Sequence, residues 1–305
     1  TAKPKTNLLK NPRVMKKFII LILSLALLSA VVGSVIGVQA SNLTELFAKG
    51  RTTKGSGKIV SRTQTVGKFD AVSASRAIRV KIGNTRSNDL LIEADDNLLD
   101  KVVAEVDDEG TLVIGFDKSV GSLADHHVAV TVPYNKRINT LKASSAALIV
   151  CEPELTARKI SLKASSSARI EADAACYDCE AVASSAACIK GAFKAEECSL
   201  DASSSACITA DVTATDCELK LSSAAELIVK GSADRCEGRL SSAAVLHGEE
   251  FAVRNADIRT SSGSSAHIFC TENLRANASS GSSIRYTGDC NATSTSSSGG
   301  SIRKK

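Results

Sequence analysis

The stretch that decides the fold runs from Ile160 to Val229: ISLKASSSARIEADAACYDCEAVASSAACIKGAFKAEECSLDASSSACITADVTATDCELKLSSAAELIV. A serine pair followed by a small residue, alanine and then an alternating apolar run recurs at Ser165, Ser184, Ser203 and Ser222, with a spacing of 19 residues each time. Further pairs lie at Ser144, Ser241, Ser261, Ser279 and Ser297, where the spacing drifts between 18 and 21. Of 41 serines, 30 fall from Ser144 onward, so the chain changes character there.

Counted from the first serine of each pair, positions −5, −3 and −1 are apolar or small: Ile160, Leu162, Ala164; Cys179, Ala181, Ala183; Cys198, Leu200, Ala202; Cys217, Leu219, Leu221. The residues between them are mostly polar, such as Lys163, Asp201, Glu218 and Lys220. Period-2 alternation is the mark of a strand with one face inward. A second short strand follows each pair (Ala168, Ile170, Ala172; Ala187, Ile189; Ala206, Ile208, Ala210), and a third precedes the first (Leu155, Ala157; Ala174, Cys176; Phe193, Ala195; Val212, Ala214). Three strands and three turns every ~19 residues describe a β-solenoid whose coils stack about 4.8 Å apart. The expected fold is all-β, a right-handed parallel β-helix built from residues 141–305. The hexapeptide period of a left-handed solenoid is absent.

Residues 59–140 read differently. Alternation marks strands at Ala77–Ile82, Leu90–Ala94 and Val128–Val132, while Lys101–Val106 and Thr111–Phe116 flank Asp107-Asp108-Glu109-Gly110, a hairpin signal. These strands are expected to form a partly antiparallel β region that caps the first coil and closes its exposed sheet edge.

Composition narrows the function. The 305 residues include no Trp, 3 Tyr and 7 Phe, which argues against an aromatic sugar platform or base stacking. The net charge of +5 resides in the N-terminal 40 residues, where six lysines and arginines meet no acid; without them 32 basic residues face 33 acidic ones. No nucleic-acid partner is implied. Residues 1–14 read as an upstream extension. Residues 15–40, with Met15-Lys16-Lys17, the apolar run from Phe18 and Val38-Gln39-Ala40, read as a signal peptide or, if uncleaved, an N-terminal anchor. That segment would be the only contact with a membrane. Residues 41–58 read as a linker. The body of the chain is thus expected to be exported, in the cell envelope (periplasm or outer surface) or secreted.

The ten cysteines invite a disulfide framework. The repeat offers a simpler account for four of them: Cys179, Cys198, Cys217 and Cys236 occupy one inward column and act as small buried hydrophobes. Cys176 falls in an alanine column, so Cys176-Tyr-Asp-Cys179 is structural rather than a redox motif. Cys188 and Cys207 both face outward on adjacent coils, within disulfide reach, although in-register neighbours point the same way. His126-His127, and His247 with His267, lack a Cys or acid spacing that completes a metal set, so no metal ligand is assigned. Glu218, Glu237 and Asp257 form an outward column beside Lys220, Arg239 and Arg259, which reads as a solvated charge ladder rather than a Ca²⁺ site. The acidic pair Asp95-Asp96 falls in a turn. No Gly-x-Ser-x-Gly elbow, phosphate loop or dinucleotide motif is present, so neither catalytic nor cofactor-binding residues are assigned. The serines are expected to serve the turns, their hydroxyls capping turn amides.

Phe69-Asp70-Ala71-Val72, Ile78-Arg79-Val80-Lys81-Ile82, Val130-Thr131-Val132-Pro133 and the serine turns resemble the bacterial head GIN domain family, over roughly residues 59–302. Members usually carry Gly-Ser-Gly in the turns; here most read Ser-Ser-Ala, with glycine only at Gly263, Gly281 and Gly299. The resemblance implies a pectin-lyase-like parallel β-helix without catalytic residues, used as an adhesin head. The reading is therefore a non-enzymatic adhesion or scaffold protein that meets an extracellular or envelope polymer or protein. The rival is a carbohydrate lyase or hydrolase on the same fold, which would need paired carboxylates in a groove.

Overall fold

The computed structural model describes residues 52–305; the expected leader, its cleavage site and most of the linker lie outside them. Contacts divide the chain into two units. The described part of the smaller one is Thr52 and Thr53 with 121–123, where the Thr53 amide donates to the Ser122 carbonyl at 2.8 Å.

Strands follow one another as β1 (Thr53–Lys54), β2 (Ile59–Gln64), β3 (Ala71–Ala74), β4 (Arg79–Gly83), β5 (Leu90–Asp95), β6 (Val102–Val106), β7 (Thr111–Phe116), β8 (Leu123–Ala124), β9 (Val128–Pro133) and β10 (Thr140–Ala143). Long bent strands then take over: β11 (Leu148–Ala164), β12 (Arg169–Ala183), β13 (Cys188–Ala202), β14 (Cys207–Leu221), β15 (Glu226–Leu240), β16 (Val245–Thr260) and β17 (Ser265–Ala278), before the shorter β18 (Ser283–Thr287), β19 (Asn291–Ser296) and β20 (Ser301–Lys304). A single 3-10 turn, Leu99–Lys101, is the sole helical element among the described residues. The result is a β-solenoid of about nine coils of roughly 19 residues.

Register follows from equal coil length. Each residue of β12 pairs in parallel with the residue 19 further on in β13, and each of β13 with its counterpart in β14. Residue types therefore stack in columns. The interior holds Ile149, Ile170, Ile189, Ile208, Leu227 and Leu246 in one column and the alanines 147, 168, 187, 206, 225 and 244 in another, all buried. Volumes complement each other between coils: Gly231 sits in register with the fully buried Phe251, and the space above Gly238 is taken by Ile258 Cδ1. Close packing of this kind lets a narrow interior fill without aromatics.

At each serine pair the second and third residues both take positive φ, near +50° to +60° where they are serine or alanine, as in Ser185 (52°) and Ala186 (60°) or Ser204 (54°) and Ser205 (59°), and 72–79° at the third-position glycines. The fourth residue closes the turn on the first, Ala187 N–H donating to the Ser184 carbonyl at 3.1 Å. This is type I′ geometry, normally the province of Asn and Gly. Here the stack holds it: the third residue's amide donates to the second residue's carbonyl in the next coil, as from Ala186 to Ser204 and from Ser205 to Ser223, both at 2.9 Å. The hydroxyls that bond the turns are not those of the serine pairs but those of fourth-position Ser264 and Ser282. Ser264 donates to the carbonyls of Ser261 and Leu240, and each accepts the amide of its turn's first serine.

Parallel stacking begins before residue 141. β3 and β4 flank another left-handed turn at Arg76-Ala77 and pair in parallel with β10 and β11, and β7 and β9 pair in parallel with β3 and β4. The chain thus lays down the coil of 71–83, then the coil outside it from 111–133, and returns past both to continue at 140. Antiparallel strands cover the outer edge: β5 on β9, β2 on β5 and β6 on β7. Arg62 and Gln64 of β2 donate to the carbonyls of Val102 and Ala104 on β6, both at 2.7 Å, so side chains satisfy what would be a free edge. The β6–β7 hairpin turns at Gly110 (φ 79°), with Asp107 Oδ1 accepting from the amides of Glu109 and Thr111.

Candidate functional site

Two grooves run along the coils. The first, of about 1000 Å³, has Cys198, Cys217 and Cys236 in its floor and charged columns on both sides. One side carries Asp178, Glu197, Asp216 and Arg235 in register, the other Glu218, Glu237 and Asp257. Like charges stacked one coil apart repel, and most are matched locally by a cation, Glu197 meeting instead the Tyr177 hydroxyl at 3.4 Å. Lys220 pairs with Glu218 (2.8 Å), Arg239 with Glu237 (2.6 Å) and Arg259 with Asp257 (2.8 Å). These pairs lie two residues apart on one strand, so the ladder is neutralised along the strand rather than between coils. Between coils, Lys159 reaches Asp178 at 2.8 Å and Arg235 forks onto Asp216. The Arg235 bond holds the Asp216 carboxyl below its usual range. Burial beside the ladder moves Asp201 the other way.

The cysteines of that floor belong to one column that continues to Cys179. Cys179, Cys198, Cys217 and Cys236 are 0–4 % exposed, and Cys176 is half-buried. Each thiol has the next one in the column as its neighbour, from Cys176 to Cys236, and neighbouring thiols perturb one another's ionisation. The Cys179 thiol, then burial, raises the Cys176 thiol. In Cys179, Cys198 and Cys217 the preceding thiol lowers the pKa, but the next thiol and burial outweigh it and the net shift is upward. Neutral thiols are poor nucleophiles, so the column behaves as packing. The structure places the Cys188 and Cys207 sulfurs 2.11 Å apart, with Cα atoms 4.7 Å apart.

The second groove, of about 620 Å³, has Val150, Ala172, Ala210 and Val229 on its floor and Lys190, Asp211, Lys230 and His247 on its walls. The outward apolar residues Leu148, Val150, Val245 and Phe269 are half-buried, whereas Ile228 is 45 % exposed in this groove.

The histidines separate into two unlike pairs. His126 bonds the Arg76 carbonyl at 3.3 Å and packs edge-on to Phe116, while the His127 amide donates to Asp95 Oδ2 at 2.7 Å. Asp95, read as a turn acid, is 1 % exposed and also accepts from Gly57 at 2.7 Å, tying the start of β2 to the start of β9. No spacing rule marked it out. His247 and His267 are in register, and the acid the sequence did not supply is Glu249. A bulge between Gly248 and Ala252 shifts its carboxylate to His267 Nδ1.

A model of the family described as "Putative auto-transporter adhesin, head GIN domain" matches residues 68–192 and 180–290. The chain belongs to the head GIN domain family. Among curated proteins none matches it. Solved structures share the fold of this head GIN protein. A "putative adhesin" from Parabacteroides merdae is 19 % identical with a TM-score of 0.64, covering 83 % of this chain and 99 % of its own. One of the same description from Parabacteroides distasonis is 19 % identical with a TM-score of 0.62, covering 83 % and 100 %. A "Putative lipid binding protein" from Parabacteroides distasonis is 18 % identical with a TM-score of 0.61, covering 84 % and 100 %. Among the described residues of the head GIN chain no helix is long and apolar enough to cross a membrane.

Proposed function

We propose that this protein is an exported, non-enzymatic β-helix that holds an extended extracellular or envelope polymer along its coils, as an adhesion or scaffold element. Family membership supports an adhesin-type role. The observation that carries the reading is the larger groove. One wall is a column with a charged or amide side chain at every coil: Asp178, Glu197, Asp216, Arg235, Asn255, Asn273 and Asn291. Such a wall suits an extended ligand, because it offers a polar group at every coil along the groove. A small-molecule site instead concentrates a few convergent polar groups in an enclosed, mainly apolar pocket.

The reading is tested by fractionating native cells, sequencing the mature N-terminus and screening the purified protein on polysaccharide and matrix-protein arrays. A start at Ser41, protease-accessible protein on intact cells and retention of a polymer support it. Protein that stays in the cytoplasm overturns it.

We further propose that Cys188 and Cys207 form a disulfide in the exported protein. Peptide mapping without reductant would return the two cysteines in one cross-linked peptide. Free, alkylatable thiols at both positions in protein recovered from the envelope would refute the bond.

A further inference from the structure

The geometry points to a divalent transition-metal site, of the zinc class, formed by His247, Glu249 and His267 at the end of the smaller groove. One donor atom from each of the three lies within 4.8 Å of the other two. Two imidazole nitrogens and a carboxylate oxygen are the donors of open zinc sites, which keep a coordination position free for water or a ligand.

Three independent features bring these residues together. His247 and His267 share one outward column on adjacent coils, with ring centroids 6.2 Å apart. The coil between Ser241 and Ser261 is 20 residues long rather than 19, and the surplus is absorbed as the bulge after Gly248. Bulges re-aim side chains, and this one swings Glu249 onto His267. Gly248 permits the close approach: a Cβ there would lie 2.8 Å from the His267 carbonyl oxygen. Without the bulge the column would continue with no acid between the imidazoles.

The surroundings favour a cation on balance. Glu226 Oε1 sits 3.2 Å from His247 Nε2 and can orient that ring or join the set. Glu250 adds a further acid beside the site, the Lys230 ammonium one coil away being paired with Asp211 at 3.3 Å, and Arg285 follows His267 in the column. The site is half-buried to exposed, with side-chain exposures of 40 %, 45 % and 26 % for His247, Glu249 and His267, so an ion can enter without opening the fold. His247 and Glu249 line the groove that also holds Lys190 and Lys230.

Titration of the full-length protein with Co²⁺, followed by Zn²⁺ competition, tests the site. One equivalent should bind with visible d–d bands and no thiolate charge-transfer band, and Zn²⁺ should displace it. Glu249→Gln and His267→Ala should each weaken binding by at least about tenfold, and Glu226→Gln by about tenfold, the scale of an orienting partner. Circular dichroism checks that each variant keeps its fold; Glu249→Gln is close to isosteric and serves if His267→Ala does not. Absence of saturable binding at millimolar cobalt overturns the proposal. So does binding that survives Glu249→Gln unchanged, or a thiolate charge-transfer band, which would place the ion on the cysteines.

Discussion

Replacing alanine by glycine in a β-strand or helix normally costs stability, but in the stacked turns of this protein it should add it. Ala146, Ala186 and Ala224 each occupy the third turn position with φ of 61°, 60° and 60°. The left-handed region costs a non-glycine residue roughly 1–2 kcal/mol. Glycine removes that cost but adds about 0.5–1 kcal/mol of backbone entropy to be lost on folding. Each change should therefore gain about 0.5–1 kcal/mol. The inter-coil hydrogen bond is kept, because it is donated by the backbone amide, at 2.9 Å for Ala146, Ala186 and Ala224 alike. The three sites lie on alternate coils, far enough apart to add approximately, so the triple variant should gain about 1.5–3 kcal/mol. Equilibrium urea unfolding followed by circular dichroism reads this as a higher midpoint at unchanged slope, with a Tm increase of about 2–4 °C per kcal/mol. The reverse change, Gly263→Ala at φ 72°, should lower the midpoint by a comparable amount. A triple variant that unfolds earlier than the parent, together with an unaffected Gly263→Ala, would refute the claim that stacking holds these turns against local preference.

Further outcomes follow from the core and the cap. Phe193→Ala, at a fully buried position, should cost about 3–5 kcal/mol in the same assay. Asp95→Ala removes the acceptor for the amides of Gly57 and His127 and should cost about 2–3 kcal/mol, with faster hydrogen exchange in β2 as its local signature. Burial pushes the Cys151 thiol up to about 12 and the Cys270 thiol up to about 11 from 9.0. Unfolded chains ionise these thiols near pH 9 while the native state does not, so this contribution is intact below pH 9 and is lost between there and pH 12. Urea midpoints should fall over that range, and less steeply in Cys151→Ala. Ion pairs as exposed as Arg239–Glu237 should contribute under about 1 kcal/mol, so Arg239→Gln should leave the midpoint nearly unchanged.

Much of this molecule is written in the sequence because the coils repeat. Period-2 alternation decides which face each residue takes, and a constant 19-residue spacing decides what lies above and below it. From those two rules the interior columns, the stacked cysteines, the neighbouring positions of Cys188 and Cys207 and the acidic and basic columns could all be placed. The Asp107–Gly110 hairpin was legible for a different reason, since its turn chemistry is local.

What only the tertiary structure decided lies where the repeat is broken or where a contact is remote in sequence. The coil of 111–133 stacks outside that of 71–83, an order that rests on pairings remote in sequence. Ser-Ser-Ala carries no local signal for two successive left-handed residues; that geometry persists because each turn is hydrogen-bonded to the next. Asp95 faces inward because two distant amides need an acceptor. Glu249 reaches His267 because one surplus residue had to be absorbed somewhere in its coil, and it is absorbed after Gly248, where the absence of a side chain lets the backbone approach the His267 carbonyl.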